Sequence, residues 1–344
     1  MHRREFLTTA ATIGVAAPIL GVPGLAAAAQ APRVTGPHVH ANLAVYFTHG
    51  PSAPGPVPLT LEEALARKQV LVRETGNVNE LVIENLGTDE VFVQAGEIVK
   101  GGRQDRVLTV SLLLPKQSGP TPIGAYCVEQ GRWQPRGQEE STKFSSADSA
   151  VPSKTAKIAM KAPPVEGTRQ GADTGRRQTE VWKDVAETQR KLAGNVGAPV
   201  ESRESRSSLQ LSLENERVRA TVSDYVKALL PAIAKSSDSI GLAFAINGAI
   251  NSADLYPSHG LFVKLWPKLL RAAATEAVAE KNGKDGAPPK PEQVAAFIEG
   301  AERGKASERK IDGKTTLATR ETEKSYYFEA RRGDAIVHKN YLSR

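Results

Sequence analysis

Glu97, Lys100, Arg103, Gln104, Asp105 and Arg106 crowd ten positions around the pair Gly101-Gly102. Successive backbone N–H groups in such a turn can form an anion-binding nest. Neighbouring Lys and Arg then add charge-assisted bonds to a phosphate or carboxylate. The competing reading is a hairpin whose charges pair with one another across strands, and taken alone it outweighs the nest. A second run, Cys127-Val128-Glu129-Gln130-Gly131-Arg132-Trp133, combines a thiol, a carboxylate, an amide, a guanidinium and an indole at a strand end. On a strand Cys127 and Glu129 share a face. Cys127 is a nucleophile only if a base lowers its pKa; a lone Cys on a strand is more often packing. Trp133 can stack on a sugar or base ring, or cap the core. Glu97 and Glu129 form an acid/base pair if their strands are neighbours.

Three further groups are weaker. His38-Val39-His40 puts two imidazoles on one strand face, with His49, His259 or a carboxylate needed as a third ligand. A surface or core role outweighs a metal site there, and no metal or cofactor is assigned. Asp254 follows the Asn247-Gly248 turn and either caps, orients, or lines a cleft beside His259. The sequence holds no Gly-x-Ser-x-Gly, P-loop, His-Glu-x-x-His or dinucleotide fingerprint. The candidate catalytic residues are therefore Glu97, Glu129 and Cys127. The candidate ligand-binding set is Glu97, Lys100, Gln104, Asp105, Arg106, Glu129, Gln130, Arg132, Trp133 and Asp254.

The elements that must position these residues fall into a strand-rich stretch, 32–137, a polar stretch, 138–178, and a mixed stretch, 179–344. In the first, apolar runs at 42–48, 70–73, 81–85, 90–95, 98–100, 106–114 and 123–129 read as strands. A short helix over 59–68 has Thr60 as N-cap and Glu62 and Glu63 in its first turn. Turns fall at Gly101-Gly102 and 115–122. That spacing suggests a sandwich or a curled, barrel-like sheet. Residues 138–178 hold few large apolar side chains and read as a long loop or insert, open to a protein partner. In the third stretch, helical periodicity marks 181–192, 214–234, 259–281 and 292–303. Asn247-Gly248 turns a hairpin between 239–246 and 249–256, and a closing hairpin spans 325–341. The expected class is α+β, the strand-rich half packed with a helix–hairpin–helix half.

The 344 residues carry 45 Lys+Arg against 38 Asp+Glu, with no basic stripe interleaved with aromatics, which argues against nucleic-acid binding. A single Cys excludes an intramolecular disulfide. Arg3-Arg4 followed by Phe6-Leu7, a mildly apolar stretch and an Ala-rich run to Ala31 read as a twin-arginine export signal over 1–31. The expected location is periplasmic or extracellular. No membrane span is expected after cleavage.

Several strings carry a resemblance in order and spacing: Val72-Arg73-Glu74-Thr75-Gly76, Val78-Asn79-Glu80-Leu81, Ala95-Gly96-Glu97-Ile98-Val99-Lys100-Gly101-Gly102-Arg103-Gln104-Asp105-Arg106, the Cys127–Trp133 run, Val181-Trp182, Asn247-Gly248 with Asp254 six residues after the Gly, and Leu265-Trp266-Pro267-Lys268-Leu269-Leu270. They resemble the ADP-ribosylglycohydrolase- and rhodanese-phosphatase-associated protein domain family, a domain of unknown function, over roughly 38–281. The resemblance implies a link with ADP-ribose or phosphoester metabolism and no defined activity. The signal, the 138–178 stretch and the tail beyond 281 stand as departures from it.

Three functions follow as expectations. The first is binding of a small anionic or sugar-like ligand in a polar pocket lined by Glu97, Lys100, Arg106, Glu129 and Arg132. The second is hydrolysis of phosphoester or glycosidic bonds by Glu97 or Glu129. The third is a cell-envelope scaffold that binds a protein partner through 138–178.

Overall fold

Thr60 starts the first helix as its residue type requires: its Oγ1 accepts the N–H of Glu63, and Glu63 reaches back to the N–H of Thr60. This reciprocal cap satisfies two donors that the helix itself leaves open. The computed structural model describes residues 32–132, 143–164, 167–284 and 286–344. The proposed signal and Trp133 lie outside the described residues.

Strands β1 (Arg33–His40), β2 (Leu43–His49) and β3 (Leu59–Thr60) precede helix α1 (Leu61–Ala66). Next come β4 (Val70–Glu74), β5 (Glu80–Asn85), β6 (Val91–Val93) and β7 (Glu97–Gly101). They are followed by β8 (Arg106–Leu108), β9 (Leu112–Leu114), β10 (Gly119–Cys127) and β11 (Phe144–Ala150). Helices α2 (Lys154–Lys161), α3 (Gln170–Val196), α4 (Leu209–Leu213) and α5 (Glu216–Leu229) lead to the hairpin β12 (Ser239–Ile246) and β13 (Ala249–Leu255). Helices α6 (His259–Ala279) and α7 (Pro291–Ala301) are followed by β14 (Lys305–Lys310), β15 (Thr315–Glu321), β16 (Ser325–Arg332) and β17 (Ala335–Ser343).

The strands form three sheets. The largest is antiparallel, in the order β1-β2-β12-β13-β17-β16-β15-β14. A six-stranded sheet, β11-β7-β8-β10-β5-β4, curls as a half-barrel, and β3-β6-β9 makes a small third sheet. The fold is α+β with a strand-rich N-terminal part, as expected. α6 carries the largest shared core: Trp266 and Phe262 both pack edge-on against Phe47 of β2 and tilt against each other.

Several expectations change. The stretches 32–137 and 179–344 share a sheet as well as a core: β2 pairs along its length with β12, and residues from both enter one cluster. The stretch 138–178 is not a loop where it is described. It contains β11, α2 and the start of α3, and its small side chains Ala147, Val151, Ala156 and Met160 are buried. Small apolar residues spaced among Ser and Lys conceal a buried face from a composition argument. The turn expected over 115–122 is shorter, since β10 begins at Gly119 and includes Pro120 and Pro122. The N–H of Ala125 bonds Asn79, so odd-numbered residues of β5 face β10; the prolines sit opposite Glu84 and Val82, where no ladder donor is needed. β14 and β15 fill 305–321, where no element was read. Their Lys, Arg, Glu and Thr content carries little apolar alternation.

Candidate functional site

A cleft of about 580 Å³ opens between α2, α3, the β12–β13 hairpin and the end of α6. That volume suits a small ligand. α3 supplies Glu180, Asp184, Glu187 and Lys191, which recur at helical spacing on one side. α6 supplies Glu276, and Glu280 stands at its C-cap. The Asn247-Gly248 turn brings Asn247 and Asn251 to the same wall. Ser153, the N-cap of α2, donates its Oγ hydrogen to Asp184 Oδ1 at 2.8 Å. Five carboxylates face three lysines, Lys154, Lys183 and Lys191, so this cleft is acidic in a chain of formal charge +7.

Two of these carboxylates hold protons unusually well. Burial pushes Asp184 up to about 6; the Ser153 hydroxyl pulls it back, while the neighbouring charge of Glu276 adds to the rise. Burial likewise raises Glu276, against the pull of Lys157 and of the Lys154 N–H that Glu276 Oε1 accepts at 2.8 Å. Asn251 stands close enough to ease a charge on Glu276. Yet Glu276 Oε2 and Asn251 Oδ1 each lack a partner in hydrogen-bond geometry among the described residues. Glu276 is thus a buried carboxyl of raised proton affinity on the floor of the cleft, and Asp184 is the half-buried carboxyl beside it.

The residues singled out from the sequence lie elsewhere, each held by its own partners. The Gly101-Gly102 nest is filled from within. The N–H of Gly101 goes to Asp105 Oδ1 at 3.1 Å, that of Gly102 to Lys143 O at 3.2 Å, and that of Arg103 to Glu74 Oε1 at 3.2 Å. Asp105 and Glu129 form a buried cluster with Arg132, whose Nε donates to Glu129 Oε2 at 2.7 Å. Arg106 is 1% exposed and spends its guanidinium on Val78 O, Gln104 O and Glu74. Lys100 pairs with Glu214 at 3.1 Å, and the backbone of Gln130 bonds Ser207.

Glu97 is buried against Lys268 Nζ at 3.3 Å, with Lys268 also bonding Glu62 at 2.9 Å and Ser146 at 2.8 Å. The register places Glu97 opposite the Leu108–Ala125 level, four residues along the sheet and two strands across from Glu129. Strand rise and spacing put their Cα atoms roughly 16 Å apart. Each carboxylate takes a different cation, Glu97 Lys268 and Glu129 Arg132, so the structure does not bring them together as an acid/base pair. Cys127 is 1% exposed and burial pushes its thiol up, with Arg106 opposing, which is the wrong direction for a nucleophile.

Asp254 does not meet His259. Its Oδ1 bonds His338 Nε2 at 3.0 Å and Asn340 Nδ2 at 2.8 Å. His338 Nδ1 in turn faces Ser111 Oγ at 2.8 Å. The order Ser111–His338–Asp254 mimics a hydrolytic triad, but Ser111 is 2% and His338 3% exposed, Tyr256 stacks on the ring, and the described clefts do not reach Ser111. The Oγ of Ser111 also accepts the N–H of Ala95 at 2.9 Å. With Nε2–H donating to Asp254, Nδ1 accepts from Ser111 and every group is satisfied. This is a packing relay.

His38 and His40 pack on Phe47 and Tyr225. Among the described residues no group of three or more His, Cys, Asp or Glu is placed to hold a metal ion. No helix there is long and apolar enough to cross a membrane.

The whole described fold, and not one motif, is matched by a family model: the ARG and Rhodanese-Phosphatase-superfamily-associated Protein domain covers residues 31–342. The chain belongs to this family. No curated protein and no solved structure matches it. The tail beyond 281 and the stretch 138–178, expected as departures from the family, both fall inside the matched range. So do Asp184, Glu276 and His338, which sequence reasoning passed over. Glu276 carried a signal: it continues the buried stripe Leu261, Leu265, Leu269 and Ala272 at the same helical spacing.

Proposed function

We propose that this family member binds a small, hydroxyl-rich, sugar-like ligand in the acidic cleft. One observation carries the reading: Asp184, held up to about 6, stands with Glu276 in a cleft whose walls alternate carboxylates with lysines and asparagines. Each sugar hydroxyl both donates and accepts, so it serves both kinds of side chain. The carboxylate-rich lining favours a neutral or cationic ligand over an anionic one. A thermal-shift screen of monosaccharides, amino sugars, sugar phosphates and short glycans tests this. Neutral or amino sugars should raise Tm in the wild type and not in Asp184→Ala. A shift confined to the phosphates would contradict it.

A second reading is hydrolysis of a glycosidic bond with Asp184 and Glu276 in the roles first considered for Glu97 and Glu129. The raised proton affinity of both favours it, since a general acid must keep its proton near neutral pH. Turnover of nitrophenyl glycosides, abolished by Asp184→Asn, supports it; a fully active Asp184→Asn sinks it.

The Arg3-Arg4 motif supports export before ligand encounter. A reporter fused behind residues 1–31 should leave the cytoplasm, and the Arg3→Lys/Arg4→Lys pair should retain it. Export of both alike would refute the twin-arginine route.

A further inference from the structure

Helix α3, 27 residues long, begins without a side-chain cap. Arg169 stands at its N-cap, and among the described residues no acceptor meets the N–H groups of Gln170 and Gly171. The aligned peptide dipoles leave a partial positive charge at that end. Alone, an exposed helix end is simply hydrated. This one opens into a cleft of about 490 Å³, which it shares with β10, β14 and the turn before β5. A Cβ on Gly171 would meet nothing within 4 Å, so the space over the terminus is open.

A second donor lines the same cleft. Tyr126 of β10 is 7% exposed, with its ring in the shared core, and its hydroxyl has no hydrogen-bond partner among the described residues. A buried tyrosine ordinarily finds one. The charges of Arg309 in β14 and of Asp173, Arg176 and Arg177 in α3 reach that hydroxyl. Asp173 is spent on Arg176 and Arg177. Arg309 lines the cleft and pairs with no carboxylate among the described residues. Asn77 turns its Oδ1 to the N–H of Asn79, which leaves its amide hydrogens for the opening. The cleft thus gathers backbone, hydroxyl, guanidinium and amide donors against one carboxylate, Glu80. We propose that it binds a small phosphate monoester, with the phosphoryl oxygens on the N–H groups of Gln170 and Gly171, the Tyr126 hydroxyl and the Arg309 guanidinium. Donors that converge from separate elements suit a tetrahedral oxyanion, and the helix end and the guanidinium both favour its charge. Glu80 then accepts a hydroxyl of the esterified part, which selects an ester over free phosphate. The site shares no residue with the acidic cleft.

The test is isothermal titration of the full chain with glycerol 3-phosphate and, separately, with inorganic phosphate. The protein variants Arg309→Gln, Tyr126→Phe, Gly171→Asp and Asp184→Ala accompany the wild type. The expected result is saturable binding of the ester and weaker binding of inorganic phosphate. Arg309→Gln and Gly171→Asp should each weaken the ester about tenfold or more, because each removes a charge-assisted contact. Tyr126→Phe should weaken it about threefold to tenfold. Gly171→Asp separates binding from folding: its carboxylate occupies the helix end, so Tm should rise while affinity falls. Asp184→Ala should bind the ester like the wild type. Absence of binding, or full affinity in both Arg309→Gln and Gly171→Asp, would overturn the proposal. So would tighter binding of inorganic phosphate than of the ester. Loss of binding in Asp184→Ala would place the ester in the acidic cleft and overturn this site too.

Discussion

Glu276 Oε1 accepts the backbone N–H of Lys154 at 2.8 Å, so the last turn of α6 closes directly on the first turn of α2. This contact makes one carboxylate serve two purposes. It caps a helix start that would otherwise leave a buried donor open, and it sets the floor of the acidic cleft. The two purposes separate by substitution. Glu276→Gln keeps an acceptor for Lys154 and a donor for Asn251, so it should change stability by less than about 1 kcal/mol at neutral pH. Glu276→Ala leaves the Lys154 N–H and Asn251 unpaired and should cost about 1–3 kcal/mol. Urea unfolding of the two variants checks this; equal losses would show that Glu276 is charged in the fold.

Asp184 gives a pH signature. Its folded value, about 6, lies above the 3.8 of an ordinary Asp, so the folded state binds the proton more tightly than the unfolded chain does. Its stabilising contribution is complete below the unfolded value and is lost as pH rises from 3.8 through about 6. Asp184→Asn should therefore raise Tm above about pH 6.5 and leave it almost unchanged near about pH 3.5. A uniform Tm change at every pH would refute the shift.

Lys161 is the opposite case. It is buried, with Nζ against Asn340 and 4.5 Å from the Phe328 ring centre. Burial pushes its amine down from 10.5 to about 7, against the pull of Asp254. The unfolded chain keeps that proton up to 10.5, so the penalty is full below about pH 7 and fades as pH rises between those values. Lys161→Met should stabilise by about 2–4 kcal/mol near neutral pH, with the gain shrinking towards about pH 10. Denaturant unfolding at the two pH values measures it. A loss of stability near neutral pH would mean that the Asn340 bond and the attraction of Asp254 outweigh the cost of burial.

Ser111 and Cys127 should be silent towards reagents that seek nucleophiles. A fluorophosphonate should not label Ser111. A thiol reagent should modify Cys127 only on unfolding, since burial both hides the thiol and raises its pKa. Ser111→Ala should still cost about 1–3 kcal/mol, because it strands the Ala95 N–H and removes the donor to His338. Rapid labelling of either residue in the folded protein would reopen the nucleophile reading.

Much of the fold was legible because its signals are local. Thr60 with Glu63, the Asn247-Gly248 hairpin and the apolar stripe of α6 each act within a few residues. The α+β class follows from them. The site was not legible, for a non-local reason. Glu97, Asp105, Arg106 and Glu129 are dense polar residues in sequence, and the fold uses that density to satisfy one another inside the half-barrel. The cleft is assembled instead from Ser153, Asp184, Asn251 and Glu276, residues far apart in the chain and each unremarkable in its own segment. Only Glu276, a carboxylate on an apolar stripe, announced that burial would make it unusual.

The central claim is that the acidic cleft is where a ligand binds. Isothermal titration of the sugar that gives the largest thermal shift, against wild type and Asp184→Ala, tests it most directly. The account predicts at least a tenfold weaker Kd in the variant, and wild-type affinity that falls as pH drops below about 6 and Asp184 takes up its proton. Equal affinity of the two proteins, with no dependence on pH through that range, would place the ligand elsewhere.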